Sequence, residues 1–273
     1  MAAVLAAGFL SSCGVTRAPV QKPAIEESQR HLQAGEYEQA IASCQSAYEQ
    51  HPNKKSILAE YVRTLEGIKK TADVSLANRD YVAAERAYSA LIDHFEDYKG
   101  LRESLTFTPA DLGRLIRQCR ARLTEARIER YLDAGDYENA LGARRPLSPA
   151  EFKDPAVAAG LAGTMEEVRR RADAAAGRGD YSSAGRAYAA LANHGSDAAR
   201  LALRLSFSRE VAKEGVKKCR AELTRRGLEQ YRQGNLSKAI ATWVDLLRFD
   251  PENPEIRKAV ETARAQLKEL QKK

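Results

Sequence analysis

Long apolar stretches are scarce in this chain. The run Ala2–Leu10 is nine residues, whereas a membrane-spanning helix needs roughly 20. Valine and isoleucine are sparse beside Ala, Leu, Arg and Glu, which favours helix over strand. Only 9 Pro are present, most of them where helices would start or stop. Cysteine is limited to 4 and histidine to 4. No Cys-x-x-Cys pair occurs, and no His has a second His or a carboxylate four residues on, so metal-ligand spacing is missing. So are the nucleophile elbow, the phosphate loop, the dinucleotide fingerprint and the metalloprotease motif. Gly177-Arg178-Gly179 lacks a third Gly three residues on, and no strand precedes it. No Lys/Arg block is interleaved with aromatics, which argues against a nucleic-acid partner. The chain thus advertises no catalytic residue, no cofactor, no metal and no small-molecule substrate.

What is present suffices for a core. The 273 residues are 44% hydrophobic and 30% charged, and the length suits one domain or two. The charge balance is 44 − 37 = +7. Spread over a whole chain, such an excess reads as a solvated surface; a basic face for an anionic lipid, glycan or acidic partner is the other reading.

The chain writes one stretch twice. Asp80-Tyr81, Ala84, Arg86-Ala87-Tyr88, Ala90-Leu91 and His94 recur 100 residues later as Asp180-Tyr181, Ala184, Arg186-Ala187-Tyr188, Ala190-Leu191 and His194. Residues 65–94 and 165–194 share 12 identical pairs in 30, against roughly two expected from average composition. A repeat of this kind sets the architecture. Tyr37, Tyr81, Tyr137, Tyr181 and Leu236 follow similar turns at intervals of 44, 56, 44 and 55. The repeating unit is therefore a pair of helical hairpins about 100 residues long, present about two and a half times.

Each unit carries helix punctuation. Thr108-Pro109-Ala110-Asp111 reads as an N-cap, a Pro at the first helical position and an acidic first turn. Asp154-Pro155 and Ser208 start similar runs, and another begins near Lys54. Long first helices of about 25 residues are expected to alternate with shorter second ones. Residues 254–271 place Ile256, Val260, Ala263, Leu267 and Leu270 on one face among charges, as a capping helix would.

The register has a family likeness. After Gly35 come Ala40, Cys44, Ala47 and Pro52; after Gly234 come Leu236, Ala239, Ile240, Trp243, Leu246 and Pro251, with Leu223 and Gly227 upstream. This spacing resembles the tetratricopeptide repeat, although the period is not that family's 34 residues. The resemblance implies an all-α fold, a right-handed α-solenoid of hairpins at about 24–53, 54–100, 108–150, 154–198 and 208–253, with a capping helix at 254–271. It also implies a concave groove lined by the first helices. Lys69, Asp73, Arg122, Glu129, Arg169, Asp173, Tyr231 and Arg232 fall on that face and are the candidate partner-binding residues. Read without the resemblance, Lys69/Asp73 and Arg169/Asp173 are surface ion pairs four residues apart, worth a few tenths of a kcal/mol.

Leu10-Ser11-Ser12-Cys13 resembles the bacterial lipobox, in which the peptide is cut before the Cys and the Cys is acylated. Residues 1–12 then read as a signal peptide and 13–23 as lipidated Cys and tether. No Lys or Arg precedes the apolar run, a departure from the usual positive start, and a buried apolar helix is the reading without the lipobox. Gly14 after the Cys implies, by resemblance, the outer membrane facing the periplasm.

The remaining Cys read as packing: Cys119 and Cys219 are one position in two copies, and Cys44 falls where the family places a large apolar side chain. His94 and His194 are expected to end their second helices, where a His meets the negative helix terminus. Arg178-Gly179-Asp180 spells an adhesion tripeptide, but its counterpart Asn78-Arg79-Asp80 marks it as a hairpin turn. The expected role is a lipid-anchored, non-catalytic scaffold holding protein partners of the bacterial envelope, in general build like repeat lipoproteins that assist secretin or pilus assembly. A binder of an anionic glycan or lipid surface is the alternative.

Overall fold

A computed structural model describes residues 22–144 and 155–272, with side chains from residue 25. The signal peptide, Cys13 and most of the tether lie outside the described residues, as do Arg145-Pro146 and Asp154. Lys22 and Pro23, read as the end of the tether, are the first residues of a helix. The described chain is all-α, with no strand among its residues.

The helices follow the expected hairpins. They are α1 Lys22–Ala34 with α2 Tyr37–Gln50, α3 Lys55–Ala77 with α4 Tyr81–Asp93, and, after the short α5 Phe95–Tyr98 and a 3₁₀ turn, α6 Pro109–Asp133 with α7 Tyr137–Gly142. Then come α8 Pro155–Gly177 with α9 Tyr181–Arg200, α10 Arg209–Arg232 with α11 Leu236–Leu247, and α12 Pro254–Leu270. The long first helices α3, α6, α8 and α10 have 23, 25, 23 and 24 residues. The second helices are less uniform than expected, because α9 runs on to 20 residues.

The chain divides into two compact units between Leu123 and Thr124, inside α6. This cut falls where the duplication restarts. Arg30, Leu32, Ala34-Gly35, Tyr37-Glu38 and Ala40 recur without a gap as Arg130, Leu132, Ala134-Gly135, Tyr137-Glu138 and Ala140. The match runs forward to Cys119-Arg120-Ala121 and Cys219-Arg220-Ala221. Within each unit a helix packs on its sequence neighbour and on the next but one: α1–α3 and α2–α4 in the first, α7–α9 and α9–α11 in the second. The first unit buries Ile41, Tyr61, Leu65, Ile68, Tyr88 and Leu91 in one core. The second has a core around Leu141, Leu161, Met165, Val168 and Leu191 and another around Trp243, Leu246 and Val260.

All five hairpins turn in the same way. The first or second residue after the first helix adopts positive φ: Gly35 at 73°, Arg79 at 64°, Gly135 at 67°, Gly179 at 76° and Gly234 at 76°. Its N–H and the next one reach back to two last-turn carbonyls, as in Gly179 N to Ala176 O (2.9 Å) and Asp180 N to Ala175 O (2.9 Å). These bonds satisfy acceptors that a helix end leaves open. The following residue is already the N-cap of the second helix. Asp80, Asp136 and Asp180 accept from the backbone N–H three residues on, at 3.1, 3.3 and 3.1 Å. Long helices use the caps read from sequence: Thr108 and Asp111 close a reciprocal capping box, and Ser208 accepts from Val211 N.

Repeat-equivalent side chains then fix the connection to the next long helix. Glu66 accepts from Thr106 N (2.6 Å) and Thr106 Oγ1 (2.7 Å); Glu166 does the same with the N–H and hydroxyl of Ser206. Arginines stitch neighbouring hairpin tips. Arg186 Nη1 donates to Gly135 O at 3.2 Å, and Arg226 Nη1 donates to Gly179 O at 2.9 Å while lying 4.6 Å over the Tyr181 ring. Arg86 lies 5.6 Å over Tyr37 in the first unit. This explains why the duplicated stretch keeps an Arg among its apolar positions.

Two predictions test this packing. A Cβ on Gly227 would fall 2.1 Å from Trp243 Nε1, and Trp243 is fully buried. Trp243→Ala should cost about 3–5 kcal/mol in chemical denaturation, and Gly227→Ala about 1–3 kcal/mol by overpacking; losses under about 1 kcal/mol for both would contradict this contact. Arg79 is the one turn residue of the five that bears a side chain at positive φ. Arg79→Gly should raise stability by about 0.5–1 kcal/mol, and a measured loss would show that the side chain contributes more than the backbone strain.

Candidate functional site

The candidate groove residues include a duplicated device. On α3, Lys69 Nζ donates to Asp73 Oδ2 at 2.6 Å, as the four-residue spacing anticipated. The other oxygen, Asp73 Oδ1, accepts from Tyr88 OH on α4 at 2.6 Å. On α8, Arg169 Nε lies 2.9 Å from both Asp173 oxygens, and Asp173 Oδ1 accepts from Tyr188 OH on α9 at 2.5 Å. Arg169 also sits over the rings of Tyr188 and Phe207, at 5.7 and 5.6 Å. The device therefore ties each long helix to its partner by cation, carboxylate and phenol. The carboxylates remain about half exposed, at 46% and 49%, while Lys69 and Arg169 are mostly covered. What faces outward is a carboxylate with both neighbours in place.

The phenols of Tyr88 and Tyr188 are not among the candidate residues that the sequence points to. The available signal was the constant spacing of 15 residues from Asp to Tyr in both copies. Desolvation, then the hydrogen bond to the carboxylate, raises both phenol pKa values above the ordinary 10.0.

Of the other candidates, Arg122 on α6 is exposed in the first unit and Glu129 on α6 is exposed in the second. Tyr231 and Arg232 come together. Tyr231 packs 5.8 Å from Trp243, and Tyr231 and Arg232 line an open cleft of about 690 Å³ bounded on its other side by the last turns of α12. The cleft arises because α12 continues its apolar stripe beyond Ala263, through Leu267 to Leu270, which is 62% exposed. Its wall is chiefly apolar, and Arg232, Lys268 and Glu269 are the charged residues that line it.

Cys44, Cys119, Cys219, His94 and His194 are engaged in packing and local contacts. Cys44, Cys119 and Cys219 are buried free thiols, and burial raises all three thiol pKa values. Cys44 Sγ sits 3.0 Å from Ser28 Oγ in a small buried polar cluster with Thr64. His94 caps α4 as expected, with Nδ1 2.9 Å from Asp97. His194 does not end its helix, because α9 continues for six further residues. Its Nε2 instead meets Glu138 Oε2 on α7 at 3.0 Å, and Glu138, held by that bond and by Asn193, titrates below the usual carboxylate range. Arg178-Gly179-Asp180 lies in a hairpin turn, with the Asp side chain engaged as an N-cap. Among the described residues no group of three or more His, Cys, Asp or Glu is placed to hold a metal, and no helix is long and apolar enough to cross a membrane.

Tyr188→Phe should cost about 1 kcal/mol in chemical denaturation, the value of one hydrogen bond to a half-exposed carboxylate. The sign with pH follows from the raised phenol. Its contribution is complete below the unfolded value near 10 and is lost as pH rises beyond it, so the wild-type advantage over the variant should shrink above about pH 10. An advantage that grows with pH would exclude the bond.

No protein-family model matches the chain. No curated protein and no solved structure matches it significantly.

Proposed function

We propose that this chain is a non-catalytic protein-binding scaffold of the bacterial cell envelope, anchored by lipid at Cys13. The hairpins continue one another in this reading as a right-handed, tetratricopeptide-like α-solenoid. The observation that carries it is the cleft lined by Tyr231 and Arg232, two residues that the repeat register selects; it is chiefly apolar, with Lys268 and Glu269 also in its wall. The lipobox-like Leu10-Ser11-Ser12-Cys13 supplies the address, the outer membrane facing the periplasm. An assembly factor for an envelope complex of the secretin or pilus kind is the narrower version. It rests on general build alone.

The alternative is an anionic glycan or lipid binder. The described cations give it less support, because many are engaged with carboxylates: Arg120 with Glu85, Arg170 and Arg171 with Glu167, Arg220 with Asp250 and Arg248 with Asp245. Mass analysis of protein extracted from membranes should find Cys13 acylated at the N-terminus; an intact Met1 removes both anchor and address. Crosslinking in intact membranes should give a discrete protein adduct that Tyr231→Ala and Arg232→Glu together abolish. An adduct unchanged by that pair rejects the cleft, whereas salt-sensitive binding to anionic vesicles with no protein adduct selects the alternative.

A further inference from the structure

The two copies fill one part of their cores differently. In the first unit Tyr61, Phe95 and Tyr98 form an aromatic cluster, with Tyr61–Tyr98 and Phe95–Tyr98 centroids 6.4 and 5.4 Å apart. Tyr98 is fully buried and its hydroxyl donates to Leu91 O. The equivalent residues 100 positions on are Leu161, Gly195 and Ala198. All three rings are gone from the second unit, while the frame around them is kept. Leu91, Leu105, Phe107 and the Glu66–Thr106 clamp recur as Leu191, Leu205, Phe207 and Glu166–Ser206.

The loss is only partly made good. The chain after His94 breaks into α5 and a 3₁₀ turn, whereas α9 runs straight on to Arg200. The stem of Arg209, where the first copy has Pro109, lies over Gly195: a Cβ there would meet Arg209 Cγ at 2.7 Å. No ring stands at position 198, and Leu201 and Leu203 pack only partly buried against this core. Beside Ala198 the second unit has a partly open cavity of about 430 Å³, with Met165, Leu191 and Leu203 among its walls and both Arg209 and Glu210 lining it. This volume lies within the range of small-ligand sites. Leu91 and Leu191, and Phe107 and Phe207, give the space the wall that accommodates a phenol in the first copy. The Arg209 guanidinium, held by Nε at 2.9 Å from Ala192 O, is a planar cation suited to covering a ring.

We propose that this cavity binds an aromatic ring, in the space that Tyr98 fills in the other copy. The ring belongs either to a free small phenol or to a Tyr or Phe side chain of a partner polypeptide. The site is separate from the cleft beside α12, so it stands whether or not the scaffold reading does.

Met165 provides the reporter, since the chain has 2 Met and the other is Met1. Methyl-labelled methionine in the full chain should show the Met165 resonance moving saturably with p-cresol, with the tetrapeptide of residues 95–98, or with both. Movement with p-cresol alone assigns the site to a free small molecule. Movement with the peptide assigns it to a polypeptide side chain. No movement with either overturns the proposal. Ala198→Tyr, which puts back the missing ring, should abolish the response. Ser196→Phe, at an exposed position on the rim, tests the same point without altering the core, and a response surviving in this variant also overturns the proposal.

Discussion

The structure depends on how each helix is stopped. Five times the chain leaves a helix through one residue at positive φ, and the residue after it is the N-cap of the next helix. Only two or three residues separate the helices, and the N–H groups of the positive-φ residue and its successor satisfy the carbonyls just released. So short a reversal brings the two helices together at their tips and leaves no room for bulky side chains there. Ala40, Ala84, Ala140, Ala184 and Ala239, each on the first turn of a second helix, are all fully buried. Arg186 and Arg226 then use the turns as acceptors.

The second constraint is the gap-free offset of 100 residues. It lets each unit be read as a control for the other. Both copies keep the Asp–Tyr ties and the Glu clamps on equivalent helices. Where one copy departs, the neighbourhood shows the compensation. Glu85 holds Arg120 in the first unit. Its counterpart is Gly185, on which Phe249 rests, while Arg220 turns to Asp250.

Most of the fold was legible because helix punctuation is local. Thr108-Pro109, Ser208 and the Gly-Asp-Tyr turns act through bonds spanning three to five residues, so a sequence displays them directly. The length of α9 was not legible. Its extension past His194 accompanies the replacement of Phe95 and Tyr98 by Gly195 and Ala198. The site was legible only in part. The spacing of Lys69 to Asp73 predicts their ion pair, but the phenol arrives from another helix, and the candidate residues split between α3, α6, α8 and α10. The cleft at Tyr231 needed the overhang of α12, which depends on the relative lengths of α11 and α12, 12 and 17 residues.

The paired clamps at Glu66 and Glu166 have a consequence for how the sequence can change. Each fixes a single residue, Thr106 or Ser206, whose position is set by two bonds to one carboxylate. The segment upstream, 95–104 or 195–204, is pinned at one end by this clamp and at the other by the α4 or α9 helix. Only Asp97 and Leu101 are shared between the two versions, and one is broken where the other is helical up to Arg200. Anchored at both ends, these ten residues form a replaceable cassette: new side chains can be tried there without disturbing the register of the helix that follows.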